Sequence, residues 1–188
     1  MKKNKPDNQG FTFIEAVVSV AIFIFITLAM LYLYYNYSNI YNYQQVEAKV
    51  AGSARTAANE LQKTTLQADK IVSSHTFSGH AYSTGQNTLV LEIPSIDSSG
   101  NIVSGKYDYV VFYASGTNFY ELTGADAASS RPSGLKQLSD SVATITFTCN
   151  NANLDLADKI DADLQMQTTT RRQTITYHLH QEIYLRNK

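Results

Sequence analysis

The stretch GFTFIEAVVSVAIFIFITLAMLYL, residues 10–33, decides how the rest of this chain is read. From Ala16 to Gln45 no residue carries a formal charge, and Ala16 to Leu33 is almost wholly apolar. A helix needs about 20 apolar residues to cross a bilayer, and this run supplies them over about residues 14–35. One carboxylate, Glu15, stands just inside its N-terminal edge, and a leader with Lys2, Lys3 and Lys5 lies ahead of Gly10. An acidic group in hydrocarbon costs about 2.5 kcal/mol or more at mid-bilayer and less near the edge. Glu15 is therefore a candidate functional residue.

Two plain readings leave something over. A secretory signal peptide would carry a small-residue cleavage site after its apolar core, but here the core runs into Tyr34-Tyr35-Asn36-Tyr37-Ser38. An ordinary signal anchor accounts for the length and the lysines but not for the glutamate. The whole pattern resembles the N-terminal signal of type IV prepilins and of type II secretion pseudopilins. The matching residues are the basic leader, Gly10, Phe11 and Glu15 four residues beyond Phe11. Members often carry a proline further along this helix; none stands near Tyr32 here, so no proline kink is expected.

The resemblance implies a precursor cut by a prepilin peptidase between Gly10 and Phe11, with Phe11 as the new N-terminus and the acceptor of N-methylation. It implies that Glu15 pairs with the N-terminal amine of a neighbour during assembly. The implied partners are the peptidase, other pilin or pseudopilin subunits, an inner-membrane assembly platform and membrane lipid. The closing Glu182-Ile183-Tyr184-Leu185-Arg186-Asn187 is similar to the ends of J-type pseudopilins and minor pilins, which points toward a minor subunit. The machine stays open among secretion pseudopilus, twitching pilus and competence pilus. The rival reading is an unprocessed single-pass anchor carrying an extracytoplasmic binding module.

Positive charge favours the cytoplasmic side of a membrane. The lysines of the leader precede the apolar run and the next, Lys49, comes well after it, so the N-terminus is expected in the cytoplasm and the bulk of the chain outside. The implied location is the bacterial inner membrane, then the pilus or pseudopilus. The net charge of −1 over 188 residues offers nucleic acid no footing. Arg171-Arg172 is too short to make a basic patch. The one cysteine, Cys149, cannot form an internal disulfide, so the outer part must be held by its core. Its alternation with Ala143, Ile145 and Phe147 places it on the buried face of a strand.

Six tyrosines between Tyr32 and Tyr43 read as an interfacial belt. Beyond them Ile40, Tyr43, Val46, Val50, Ala54, Ala57, Leu61 and Ala68 recur mostly at steps of three and four, one apolar stripe at helical period. The helix is thus expected over residues 11–68, apolar all round in its first half and amphipathic in its second. Residues 69–87, rich in Ser, Thr, Gly and His, read as a loop. The period then becomes two, with strands at 88–93 ended by Pro94, at 107–113, 119–122 and 142–149, and over 160–166 and 175–185. Residues 95–105 and 123–134 read as turn and loop. The fold class is α+β: a leader over 1–10, one long helix, and a small antiparallel β head over 69–188 covered by the amphipathic half of the helix, in a pilin-like arrangement.

No frame for catalysis is present: Ser, His and Asp are scattered without a nucleophile elbow, and no glycine-rich phosphate loop occurs. No enzyme activity and no cofactor are expected. His178 and His180 share a strand face, but zinc wants three or four protein ligands. Asp155, Asp158, Asp161 and Asp163 are oxygen-rich but lack a calcium-loop spacing. No metal is expected at either.

Overall fold

The computed structural model of the chain describes residues 12–170 and 173–185. The leader, Gly10 and Phe11, the Arg171-Arg172 pair, and Arg186 and Asn187 of the closing motif lie outside the described residues. One long helix and antiparallel sheets make an α+β fold. The chain divides into two compact units, the first ending at Gln45 and the second beginning at Val46.

Helix α1 spans Phe13–Thr65, 53 residues. In its first unit no described residue is buried. Phe13, Phe23, Phe25 and Leu33 are all exposed. Ser19, Thr27 and Asn36 turn their side chains back to the carbonyls of Glu15, Phe23 and Tyr32, at 2.7, 2.8 and 3.0 Å. Each of these three side chains is thereby bonded within the helix. The helix stops three residues short of the expected Ala68. Gln67 and Ala68 donate to the carbonyls three residues back, and the Asp69 amide then bonds to Glu92 O at 2.9 Å. The tightened turn and that bond carry the chain out of the helix and into a sheet.

The second unit is built on the helical stripe. Val50, Ala54, Ala57 and Leu61 are buried, whereas Ile40 and Tyr43, read as the start of the same stripe, are exposed. Above them β1 (Lys70–Ile71), β4 (Thr88–Ile96), β5 (Ile102–Ser115), β6 (Asn118–Gly124) and β7 (Gly134–Ser139) form a sheet in the order β1-β4-β5-β6-β7. A second sheet has the order β10-β9-β8, from β8 (Val142–Cys149), β9 (Lys159–Thr169) and β10 (Thr174–Tyr184). Leu89, Leu91 and Phe112 of the first sheet and Ile160, Leu164 and Met166 of the second share one core cluster with the helical stripe. The alanines of the stripe present little side chain, so the large residues of both sheets fill the space above the helix.

Several expectations need correction. Residues 69–87 are not a loop: they hold β1 and a hairpin of β2 (Ser74–Phe77) and β3 (His80–Ser83). The hairpin turns at Ser78 and Gly79, with φ of 47° and 86°, the left-handed pair that suits a two-residue connection. Pro94 does not end β4, which runs on to Ile96 with a register shift between Pro94 and Ile96. Proline lacks an amide donor, and β1 reaches only Leu91 and Glu92, so no donor is needed beside Pro94. β5 begins at Ile102 within the expected turn. β7, a strand the sequence did not announce, begins at Gly134, the last residue of the expected loop over 123–134, and carries the polar Lys136 and Gln137. In β8 Ala143 is exposed and Val142 buried. Val142 pairs with Met166 and Thr144 with Gln165, so Ala143 is the extra residue of a β-bulge, and the bulge reverses the alternation before Ile145.

Candidate functional site

The apolar helix opens on a reciprocal pair. Thr12 stands immediately before α1 and Glu15 is its third residue. The Thr12 amide donates to Glu15 Oε2 at 2.9 Å and its hydroxyl to the same oxygen at 3.0 Å; the Glu15 amide donates to Thr12 Oγ1 at 3.3 Å. This is a capping box, in which two donors at the helix start are satisfied by two side chains three residues apart. Its Thr-x-x-Glu signature is present in the sequence, although sequence reading singled out only the glutamate. The negative group also faces the positive end of the helix dipole. Glu15 therefore has a local function in starting the helix, whatever else it does. Gly10 and Phe11, expected as the processing site, lie outside the described residues.

The second unit carries a polar face on the outer side of β8, β9 and β10. Across it run rows set by strand register, among them Thr146, Asp163 and His180, and Thr148, Asp161 and Glu182. His178 and His180 share this face, as their spacing predicts; His180 is exposed. His180 Nδ1 lies 2.7 Å from Asp163 Oδ1, and that hydrogen bond raises the imidazole above its ordinary pKa. Lys159 reaches Asp161 at 3.1 Å and Glu182 at 3.6 Å. Ligand atoms of Asp161, His180 and Glu182 lie within 4.8 Å of one another, but both carboxylates are already on the Lys159 ammonium. Asp158 accepts from Asn150 at 2.6 Å. The expected aspartate cluster is thus spread over separate partners. In the row Thr146, Asp163, His180 the carboxylate sits in the middle, whereas a nucleophilic triad needs the imidazole there.

Sequence reading also missed the buried polar cluster of the first sheet. Asp108 has no exposed surface. It accepts from Ser95 Oγ at 2.7 Å, the Asp126 amide at 2.9 Å, Ser129 Oγ at 2.8 Å and Arg131 Nη1 at 2.7 Å. Burial alone would raise the carboxyl, but these donors together hold it below the usual carboxylate range. Arg131 also donates to Pro94 O at 2.6 Å. The cluster thus ties the 125–133 loop to β4 and β5. Nearby, Tyr109 donates to Glu92 at 2.9 Å and stacks on His75 at 3.7 Å. Burial, with the Glu92 carboxylate, pushes its phenol up to about 12. Cys149 is half-buried at the margin of the core rather than fully inside it; burial raises its thiol, which makes it a poor nucleophile. No protein-family model matches the chain, and no curated protein matches it.

Proposed function

We propose that this chain is a pilin-like structural subunit, inserted in the bacterial inner membrane as a precursor, cut between Gly10 and Phe11, and assembled by packing of its apolar helix into a pilus or pseudopilus. The observation that carries the reading is the helix start: a carboxylate, Glu15, placed at the mouth of a segment with a mean hydropathy of 2.6 and none of it buried. Such a segment needs a bilayer or other copies of its kind around it. The minor-subunit reading rests on the C-terminal resemblance. Cleavage would expose the Phe11 amine, the methyl acceptor, and Glu15 of an incoming subunit would pair with a neighbour's amine. Each charge is costly alone in hydrocarbon, and pairing offsets part of that cost.

The capping box favours a second reading in which Glu15 only starts the helix and the protein is an unprocessed anchor for its β head. Two substitutions separate the readings. Glu15→Gln keeps the box, since glutamine serves at that position, but removes the charge; Glu15→Ala removes both. For a subunit, both variants insert and are cut normally but enter filaments poorly. If Glu15→Gln assembles as wild type does while Glu15→Ala does not, the pairing role is lost and the cap remains. N-terminal sequencing of protein from the native host decides processing: a mature chain that still begins at Met1 removes the subunit reading altogether.

A further inference from the structure

Two buried valines stand apart from the core over the helix. Val90 of β4 and Val111 of β5 have no exposed surface. They alternate with Leu89, Leu91, Val110 and Phe112, which do belong to that core. Val90 and Val111 oppose each other across the two strands, so both lie on the far face of the sheet. Their row continues through Leu122 and Leu135, of which Leu135 is exposed. The β2–β3 hairpin closes the first half of this row. His75 stacks on Tyr109 with ring centroids 3.7 Å apart and planes within 10°. Tyr82 packs on Tyr113 at 5.0 Å, and the Phe77 ring lies over Gly124.

The hairpin is fastened at its base. There Val72 N donates to Val90 O at 3.0 Å. Thr84 Oγ1 donates to Val72 O at 2.6 Å and accepts from Val90 N at 3.1 Å. β2 and β3 form a two-stranded sheet of their own. Among the described residues, no backbone hydrogen bond joins residues 74–83 to the sheet beneath. Side chains hold that part down.

We propose that the hairpin is a strap that acid releases: it lies over Val90 and Val111 while His75 is neutral, and swings out about its base when His75 takes up a proton. The stack suits the neutral ring. One face of His75 is on Tyr109, and Phe77 packs edge-on to it at 4.8 Å. Burial holds the imidazole below its ordinary pKa. The groups around it offer an imidazolium little. β4 brings one carboxylate, Glu92, which already takes the Lys70 ammonium of β1 at 3.1 Å and the Tyr109 hydroxyl of β5 at 2.9 Å. β6 brings only Gly124, and the hairpin itself Phe77, Tyr82 and the exposed His80.

The sign follows from linkage. Closure is strongest above the ordinary histidine value of about 6.5 and weakens as the pH falls through it. The loss ends once the lower closed-state value is passed. It amounts to about tenfold in the closing constant for each pH unit between the two values. Release would uncover Val90 and Val111 and extend the apolar row that Leu122 and Leu135 begin.

The test is amide hydrogen exchange on the full chain in neutral detergent from about pH 8 to 5, the range in which histidine titrates. Rates are expressed as protection factors, so that the intrinsic acid dependence of exchange divides out. A lone two-stranded hairpin is marginal in water, so a lifted hairpin should fray. The expected result is a several-fold loss of protection in the β2–β3 ladder on acidification, with β9 and β10 unchanged. His75→Phe keeps a ring on Tyr109 but gains no proton, and should stay protected throughout. His80→Gln should behave as wild type. Protection that is flat with pH would overturn the proposal. So would protection that rises with acid, which would mean that the Tyr109 face holds the imidazolium as a cation–π pair. An equal loss in His75→Phe, or a parallel loss in β9 and β10, would overturn it too. Should His75→Phe fail to fold, the wild type still decides. Its loss must fall between about pH 6.5 and the His75 midpoint in an NMR titration, and a loss confined to lower pH sinks the strap.

Discussion

Asp108 and Arg131, 23 residues apart in sequence, meet at 2.7 Å in a place where the aspartate has no contact with solvent. The pair closes the 125–133 loop over the end of β4. The guanidinium is itself only slightly exposed, so neither charge can turn to water if its partner is removed.

Asp108→Ala should therefore cost about 3–5 kcal/mol, the usual penalty for leaving one member of a buried pair. Asp108→Leu combined with Arg131→Met should cost clearly less than the single aspartate change, since no stranded charge remains. Urea unfolding of the three variants checks this. The pH dependence has a definite sign. A carboxyl held below its unfolded value contributes stability that is present above about pH 3.9 and is lost as the pH falls through the lower folded value. The wild type should thus lose stability on acidification below that point more steeply than the double variant.

Gly124 is dictated by an aromatic ring. A Cβ at this position would lie 2.5 Å from Phe77 Cε1 and 2.9 Å from Cδ1, contacts that no real side chain makes. Phe77 belongs to the β2–β3 hairpin, where it also packs edge-on to His75 and Tyr82. Gly124→Ala should displace the hairpin and destabilise by roughly 1–3 kcal/mol. Adding Phe77→Ala should recover part of the Gly124→Ala loss, so the two changes will not be additive. Strict additivity in thermal melts would mean that the ring is not what holds the glycine in place.

The histidines should titrate apart. His180 is raised by its hydrogen bond to Asp163, whereas burial against Tyr109 lowers His75. In an NMR titration His180 should therefore have a midpoint above the ordinary value of about 6.5 and His75 one below it. Asp163→Asn should bring His180 back toward its ordinary value and leave His75 unmoved. By linkage, any stability from the His180 pair is present below its unfolded value and disappears as the pH rises through the folded one. The pair is exposed, so this contribution is small.

The sequence alone determined the parts whose physics is local. The apolar run from Ala16 to Leu33 makes a helix long and apolar enough to cross a membrane, and the steps from Val46 to Leu61 mark one apolar face of a helix. Alternation from Ile160 to Met166 and from Ile175 to Leu185 marked out β10 to within a residue at each end and the middle of β9, which runs on to Thr169. The capping box of Thr12 and Glu15 was also legible, since both members lie within one turn. What only the tertiary structure decided is what depends on partners distant in sequence. The β2–β3 hairpin has too few apolar residues to show a period, and it is fixed by the ring of Phe77 lying over Gly124 on another strand. Ala143 looks like a core residue until the register with Gln165 and Met166 makes it the bulge. Asp108 reads as one more polar residue in a strand; it becomes a buried ion only because the chain between β6 and β7 brings Arg131 back to it. The edge of β10 is likewise a fact of strand order, which no window of sequence contains, because pairing energy depends on which strands lie side by side and not on which are consecutive in the chain.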